Sequence, residues 1–415
     1  MNSYPKMVKI RQTFNNNKIE NIVDEITREL SQEHIKAKIH PGAKIAIAVG
    51  SRGIANLKDV VKTVVNHIKE LGGEPFLVPA MGSHGGATSE GQKKILLDYG
   101  LSPENIGAPI YSSMEVVQIG TVGDHIPVYF DRNASEADAI IVINRVKPHT
   151  NFKSDIESGV IKMLTVGLGK QKGAEVIHSH GIYGLKNLIP EMGKLIIEKM
   201  PIAFGLALVE NAYDELTIIK TIPAEDLIEV EKKLLVKAKS LMPSLPSNEI
   251  DILLVDEMGK NISGTGMDPN IIGRIYVRGQ EEPKHPDIKY IGVFDLTPES
   301  HGNAIGIGYA DLTTQQLVDN IDLNYTYMNT ITSVFPTLAK IPITLQTERE
   351  LVDVAIQFLQ TVQMDDLLIV RIRNTLSLDE LEVSEALWEK IKDNQNFEQI
   401  GPPYEMKFNN QGELQ

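Results

Sequence analysis

VINRVKPHTNFKSDIESGVIKMLTVGLGKQKGAEVIHSHG, from Val142 to Gly181, is the stretch on which the fold turns. It continues the apolar run Ala139–Ile143, whose unbroken hydrophobicity reads as a strand buried on both faces of a parallel sheet. Pro148 ends that strand, because proline has no N–H to give a ladder. His149 follows at once, then a polar turn region, the segment Ser158-Gly-Val-Ile-Lys162, the glycines of Val166-Gly-Leu-Gly-Lys170, and finally His178 and His180. In an open α/β sheet, ligands bind just beyond the C-terminal ends of the strands. His149 therefore occupies a functional address by position alone.

The same alternation extends outward from this stretch. Lys18–Leu30 has the pattern of an amphipathic helix. Lys44–Gly50 reads as a buried strand ending at Ser51-Arg52-Gly53. Leu57–Leu71 has helical periodicity and stops at Gly72-Gly73. Pro75–Pro79 is a strand leading into Ala80-Met-Gly-Ser-His84-Gly-Gly-Ala-Thr88, and Ser89–Tyr99 a helix. Met114–Phe130 interrupts with hairpin-like strands. Leu185–Lys199 reads as a helix, Ile202–Glu210 as a strand and Ala224–Ser240 as a charged helix.

Met242-Pro-Ser-Leu-Pro-Ser-Asn248 has linker composition. Past it, the strand Asp251–Asp256 and a glycine-rich loop, Gly259–Arg274, open a second α/β unit, with further strands at Tyr290–Leu296 and Asp366–Ile372. The expected fold class is α/β, as two α/β domains with mostly parallel sheets. The expected boundaries are an N-terminal domain at 1–241, a linker at 242–249, a C-terminal domain at 250–390, and a polar tail at 391–415 that docks back.

At 415 residues the chain exceeds what one core organises. Its 42% hydrophobic and 23% charged content is that of a globular protein. A net charge of −14 argues against nucleic acid or an anionic membrane as partner, but not against a small anion held locally. With no cysteine, disulfides, zinc–thiolate sites and cysteine-ligated iron–sulfur clusters are excluded. A metal would need histidine, carboxylate, or ligands brought by a cofactor. The N-terminus has no apolar signal core, and no apolar run is long enough to span a bilayer, so the expected location is cytoplasmic.

Three loops, each following a strand, carry Arg52, His84 and His149. Strand ends of one parallel sheet converge on one rim, so these side chains can share a cleft. Arginine suits bidentate contact with carboxylate or phosphate, and histidine suits proton transfer near neutral pH. Gly167-Leu-Gly-Lys170 fits neither the Gly-x-x-x-x-Gly-Lys-Ser/Thr nor the Gly-x-Gly-x-x-Gly pattern. His178 and His180 would point to opposite faces of an extended segment, which favours one of them as a single metal ligand.

Gly-Ser-His84-Gly-Gly-Ala-Thr, Pro148-His149, Gly159-x-x-Lys162 and a histidine sixteen residues later together resemble the nickel-pincer nucleotide-dependent lactate racemase family. The resemblance implies two α/β domains with the active site in the interdomain cleft. It implies a nickel-pincer nucleotide, a pyridinium-derived bis-thio mononucleotide, bound covalently to Lys162 through a thioamide. His178, or alternatively His180, would supply the protein nitrogen to nickel, with a pyridine carbon and two sulfurs from the cofactor.

By the same resemblance His84 and His149 are the acid/base pair, and Ser51 and Arg52 lie at cofactor phosphate and substrate. Asp268-Pro-Asn270-Ile-Ile-Gly-Arg274 looks like the family's Asp-x-Asn segment and offers Arg274 to the substrate. The implied reaction racemises or epimerises a 2-hydroxy acid by reversible hydride transfer through a 2-keto acid, with cofactor-synthesis proteins as partners.

The chain departs from that pattern at Ser51-Arg52-Gly53, where the family has Thr-Arg-Pro, and in a longer His149-to-Lys162 gap. The glutamine and lysine that hold lactate have no match, so a larger or more acidic 2-hydroxy acid, or a sugar acid, fits at least as well. Two other readings compete. One is a nucleotide-binding oxidoreductase- or lyase-like enzyme with Lys162 as a Schiff-base or phosphate lysine, against which the missing Gly-x-Gly-x-x-Gly loop counts. The other is a non-catalytic binding protein retaining the fold, against which the joint presence of both histidines, the lysine and a metal ligand counts.

Overall fold

The computed structural model describes residues 4–415, and at 332 and 333 the backbone alone. The chain forms two compact units, Asn15–Met242 and the chain up to Phe14 together with Pro243–Gln415.

In the unit Asn15–Met242, a five-stranded sheet runs in the order Glu74–Pro79, Lys44–Val49, Ala139–Arg145, Ile202–Glu210, Leu216–Pro223. The first four strands are parallel and the last is antiparallel to its neighbour. Side chains alternate between the two faces, as the two-residue period requires. Ile45, Ile47, Ile141 and Ile143 pack with Val60, Val64 and Ile68 on one face. Ala46, Ala48, Ile140 and Val142 pack with Leu164, Ile177 and Met192 on the other. Helix Leu57–Glu70 covers the first face because Leu57, Val60, Val61, Val64, Val65 and Ile68 form one buried stripe. Both faces are covered, which accounts for the continuous apolar strands.

Because these strands are parallel, the segments after Val49, Pro79 and Arg145 leave the sheet at one edge. After the third of them the chain enters Val160–Lys162, a wider π-type turn at Met163–Gly167, and helix Lys170–Ser179. Turns of that type recur at functional sites. The hairpin Val116–Val122 with Ile126–Asp131 is antiparallel, where hairpin-like strands were expected.

The second unit carries a nine-stranded sheet. Ile343–Leu345, Leu312–Thr314, Asp287–Leu296, Glu249–Met258 and Ile369–Ile372 are parallel, and Glu380–Ser384, Lys6–Gln12 and Phe397–Gln399 follow antiparallel. Tyr404–Glu405 also pairs with Lys6–Gln12.

The N-terminal strand thus corrects the expected boundaries, since Lys6–Gln12 belongs with the C-terminal unit. It buries Met7, Val8 and Ile10 between strands more than 370 positions away in sequence. The tail beyond 391 contributes strands to the same sheet. The segment expected as a linker is partly packed: Leu245 is buried, and Gln12 Nε2 donates to Ser244 O at 3.0 Å. The α/β class with mostly parallel sheets agrees with the sequence. Among the described residues no helix is long and apolar enough to cross a membrane.

Candidate active site

The first two loops are tied to each other. Tyr99 OH donates to Ser51 O at 2.9 Å, and Ser51 Oγ is hydrogen-bonded to His84 Nδ1. Behind His84, Gln92 Nε2 donates to Gly82 O at 2.8 Å and to His84 O at 3.2 Å. Gln92 in turn accepts from Lys170 Nζ at 3.1 Å. The Lys170 ammonium also bonds Pro79 O and lies 3.1 Å from Asp131 Oδ2.

Lys170, Asp131 and Gln92 are all fully buried. Burial pulls the lysine pKa down and pushes the aspartate up, and each partner's charge opposes the other's shift. Lys170 is therefore an internal strut beneath the His84 loop and not part of a phosphate-binding turn.

The third loop is closed by Lys147 N–H to Ser158 O at 2.9 Å and Ser158 N–H to Lys147 O at 3.2 Å. The buried Glu157 carboxylate holds it from inside, accepting from His149 N at 2.6 Å and Ser154 N at 3.2 Å. Lys239 Nζ, on helix Leu227–Leu241, donates to the same carboxylate at 2.7 Å. The His149 ring packs against Phe152 at a tilt of 37°, with centroids 4.5 Å apart. Asn151 N–H donates to His149 Nδ1 at 3.0 Å, so the neutral ring carries its proton on Nε2.

Lys162 follows a glycine whose carbonyl accepts from Asn144 Nδ2 at 2.7 Å. The next two backbone N–H groups, of Val160 and Ile161, donate to Glu231 Oε2 at 2.6 and 3.1 Å. Among the described residues, Lys162 Nζ, the His178 ring and the Arg52 guanidinium have no hydrogen-bond partner.

Lys162 is half-buried, and its pKa falls to about 7. Burial is the main cause, the charges of Arg52 and Lys147 add to it, and Glu157 opposes it. His84 falls to about 4 through crowding by protein, then Arg52, Lys162 and His178. His149 lies well below the ordinary range through burial, then Lys162, Lys147, Lys153 and His178. His178 is lowered by burial and then by Lys162. His84 and His178 keep exposed surface, so burial acts on them less than on His149. Repulsion from Arg52 and Lys162 still fixes the downward direction. The charge of Lys162 thus acts on all three histidines, and that of Arg52 on His84 and Lys162.

His178 and His180 do not lie on an extended segment. His178 occupies the last turn of helix Lys170–Ser179, and His180 follows it with Nδ1 bonded to Val176 O at 2.7 Å. His178 is the one that shares the field of Lys162.

Arg274 departs from its expected role as a substrate cation. It is buried in the C-terminal unit, donates to Tyr309 O at 2.7 Å and Ile288 O at 3.0 Å, and pairs with Asp311 at 2.8 Å. A guanidinium so fully engaged is structural. Among the described residues, no group of three or more His, Cys, Asp or Glu is placed to hold a metal by itself.

Four supporting residues escaped the sequence reading: Gln92, Asn144, Glu157 and Glu231. Only Glu231 left a signal. It occupies the buried stripe Leu227, Glu231, Leu235, Ala238, where helical spacing calls for an apolar residue.

Residues 5–183 match the family model for the lactate racemase N-terminal domain. No curated protein sequence matches the chain. Among solved structures, the lactate racemase apoprotein from Thermoanaerobacterium thermosaccharolyticum is similar, with a TM-score of 0.53 and 13% identity over 90% of this chain and 99% of that one. At that identity the likeness concerns the fold alone. The span similar to the lactate racemase N-terminal domain, residues 5–183, is the one that holds Ser51, Arg52, His84, His149, Lys162 and His178.

Proposed function

We propose that this protein racemises or epimerises a 2-hydroxy acid with a nickel-pincer nucleotide held by Lys162 and His178. The observation that carries the reading is one unpartnered lysine whose charge acts on three histidines. The residues present fit the group. An amine with a pKa of about 7 is about half deprotonated at neutral pH, against a very small fraction for an ordinary lysine, and can form the covalent link. His178 has ring nitrogens free to ligate. A chain without cysteine offers no thiolate, so the soft sulfur ligands would come with the nucleotide. When bound, the group supplies the acceptor and donor of hydride at the substrate carbon.

The remaining work falls to the chain's own residues. Arg52 attracts the cofactor phosphate and the substrate carboxylate, and Ser51 holds the His84 ring. With Nδ1–H donated to Ser51 Oγ, His84 keeps the Nε2 lone pair and can take the substrate's hydroxyl proton. His149 offers Nε2–H to the same oxygen in its keto form. The two enantiomers present their hydroxyls to opposite sides, so the histidines exchange roles between directions. To protonate the oxygen as hydride returns, His149 must first take a second proton from solvent on Nδ1, which requires Asn151 N–H to release that atom, and the proton taken by His84 passes to solvent. The substrate is lactate, a larger or more acidic 2-hydroxy acid, or a sugar acid, and cofactor-synthesis proteins are the partners that load Lys162.

The test is to produce the protein with cofactor-synthesis proteins and give it single enantiomers of such acids, following the product by chiral chromatography. Appearance of the opposite configuration supports the reading. Conversion to a 2-keto acid that accumulates, with no inverted product, contradicts it.

A further inference from the structure

Helix Leu227–Leu241 lies outside every sequence motif, yet it grips the segment from His149 to Lys162 at both ends. Lys239 binds the Glu157 carboxylate that shapes the His149 loop. Two turns earlier on the same helix, Glu231 binds the backbone just before Lys162. We propose that Glu231 is a positioning residue for Lys162: its carboxylate caps the segment that carries the amine and fixes where the amine sits. This inference rests on the reading of Lys162 as the cofactor anchor.

Three observations converge on it. Glu231 Oε2 accepts two consecutive N–H groups, of Val160 and Ile161, and a carboxylate at such an end suits both the open donors and the local dipole. Gly159 leaves the room for it, since a Cβ there would sit 2.4 Å from Glu231 Cδ and Oε1. That gives the first residue of Gly159-x-x-Lys162 a steric reason, and one that lies across the fold. Gly205 does the same one layer down, where a Cβ would sit 2.8 Å from Val160 Cγ1 and 2.7 Å from Leu227 Cδ2 of the same helix.

Glu231 is almost wholly buried, and its second oxygen, Oε1, has no hydrogen-bond partner among the described residues. A buried acid with an unsatisfied oxygen costs stability, and burial raises its pKa to about 7. A leucine would pack on the stripe without that cost. The glutamate has a use that packing does not explain, and the two N–H groups ahead of Lys162 are what it holds.

The test is competitive amine labelling of the cofactor-free full-length protein, read at the Lys162 peptide by mass spectrometry from pH 6 to 10. The charged groups that act on Lys162, namely Arg52, Lys147 and Glu157, are left intact. In wild type the labelling midpoint should lie near 7. Glu231→Gln keeps an acceptor oxygen and keeps that midpoint. Glu231→Ala and Gly159→Ala move it upward, toward the ordinary lysine value of about 10.4, while thermal melts report that the variants remain folded. Should Glu231→Ala not fold, Gly159→Ala and Glu231→Gln carry the test. An unchanged midpoint in a folded Glu231→Ala or Gly159→Ala, or an equal rise in Glu231→Gln, overturns the proposal. Because this labelling needs no cofactor, failure of Lys162 to load would count against the functional reading and leave the positioning role standing.

Discussion

The loop carrying His84 is held from behind by a buried lysine strut, whereas the loop carrying His149 is held from within by a buried glutamate. Lys170 and Gln92 reach backbone carbonyls of Pro79, Gly82 and His84, and among the described residues the His84 ring hydrogen-bonds only the Ser51 hydroxyl. A hydroxyl can donate or accept, so His84 can change tautomer by rotating one O–H. His149 has no such freedom. Phe152 packs against its ring, Asn151 N–H occupies Nδ1, and Glu157 holds its backbone. Two histidines assigned one kind of chemistry therefore differ in how easily each changes its proton. The difference teaches that proton exchange is cheap at His84 and costs a backbone hydrogen bond at His149.

The largest effects should come from removing the rings. His84→Ala and His149→Ala should each lower steady-state racemisation about 10²–10⁴-fold, the usual worth of a general base. In single turnover the two should diverge, each sparing hydride transfer from one enantiomer, read in stopped-flow spectra. Equal slowing with both enantiomers in both variants would sink the two-base reading. Both rings titrate below 6.5, so they are neutral at pH 7 and charge only as pH falls. Their folded pKa values are depressed, so their contribution to stability is present above about 6.5 and lost as pH falls, for His84 through about 4. The acid limb of turnover should accordingly lie below pH 6.5.

Glu157→Ala should unfold the contrast selectively. It strands two backbone N–H groups and Lys239, at a cost of about 2–4 kcal/mol in urea denaturation. His149 should lose its fixed tautomer while the Ser51–His84 bond survives, which imidazole NMR would report. A variant that disturbs both rings alike contradicts the separate supports.

Lys162→Met should stabilise the cofactor-free protein at neutral pH by about 1–2 kcal/mol. The folded lysine pKa is depressed, so its stabilising contribution is present above about 10.5 and lost as pH falls through about 7. The gain should shrink as pH rises toward 10, and a thermal-melt series against pH checks the sign. The smallest effect is Ser51→Ala, which should slow turnover a few-fold, about 0.5–1.5 kcal/mol for one hydrogen bond. It should act on the enantiomer served by His84 and leave the other unchanged.

Where partners are local in sequence, the structure could be read in advance. Ile45–Val49, Pro75–Pro79 and Ala139–Ile143 announce parallel strands by their own hydrophobicity, and the loops after them place Arg52, His84 and His149 on one edge. Lys6–Gln12 could not be assigned, because its partners at 380–384 and 397–399 lie at the far end of the chain. Arg274 looked available for a ligand because Asp311, the carboxylate that engages it, stands 37 residues away. Glu157 was hidden among the polar residues of a turn. Glu231 alone broke a pattern, an acid where the helix wanted an aliphatic side chain.

The central claim is that Lys162 anchors the cofactor, and peptide-level mass spectrometry tests it most directly. Protein produced with the cofactor-synthesis proteins should carry one added mass on the Lys162 peptide. That mass should be absent from Lys162→Ala and still present in His178→Ala, which should lose nickel alone. An unmodified Lys162 in a preparation that interconverts the enantiomers of a 2-hydroxy acid would contradict the account.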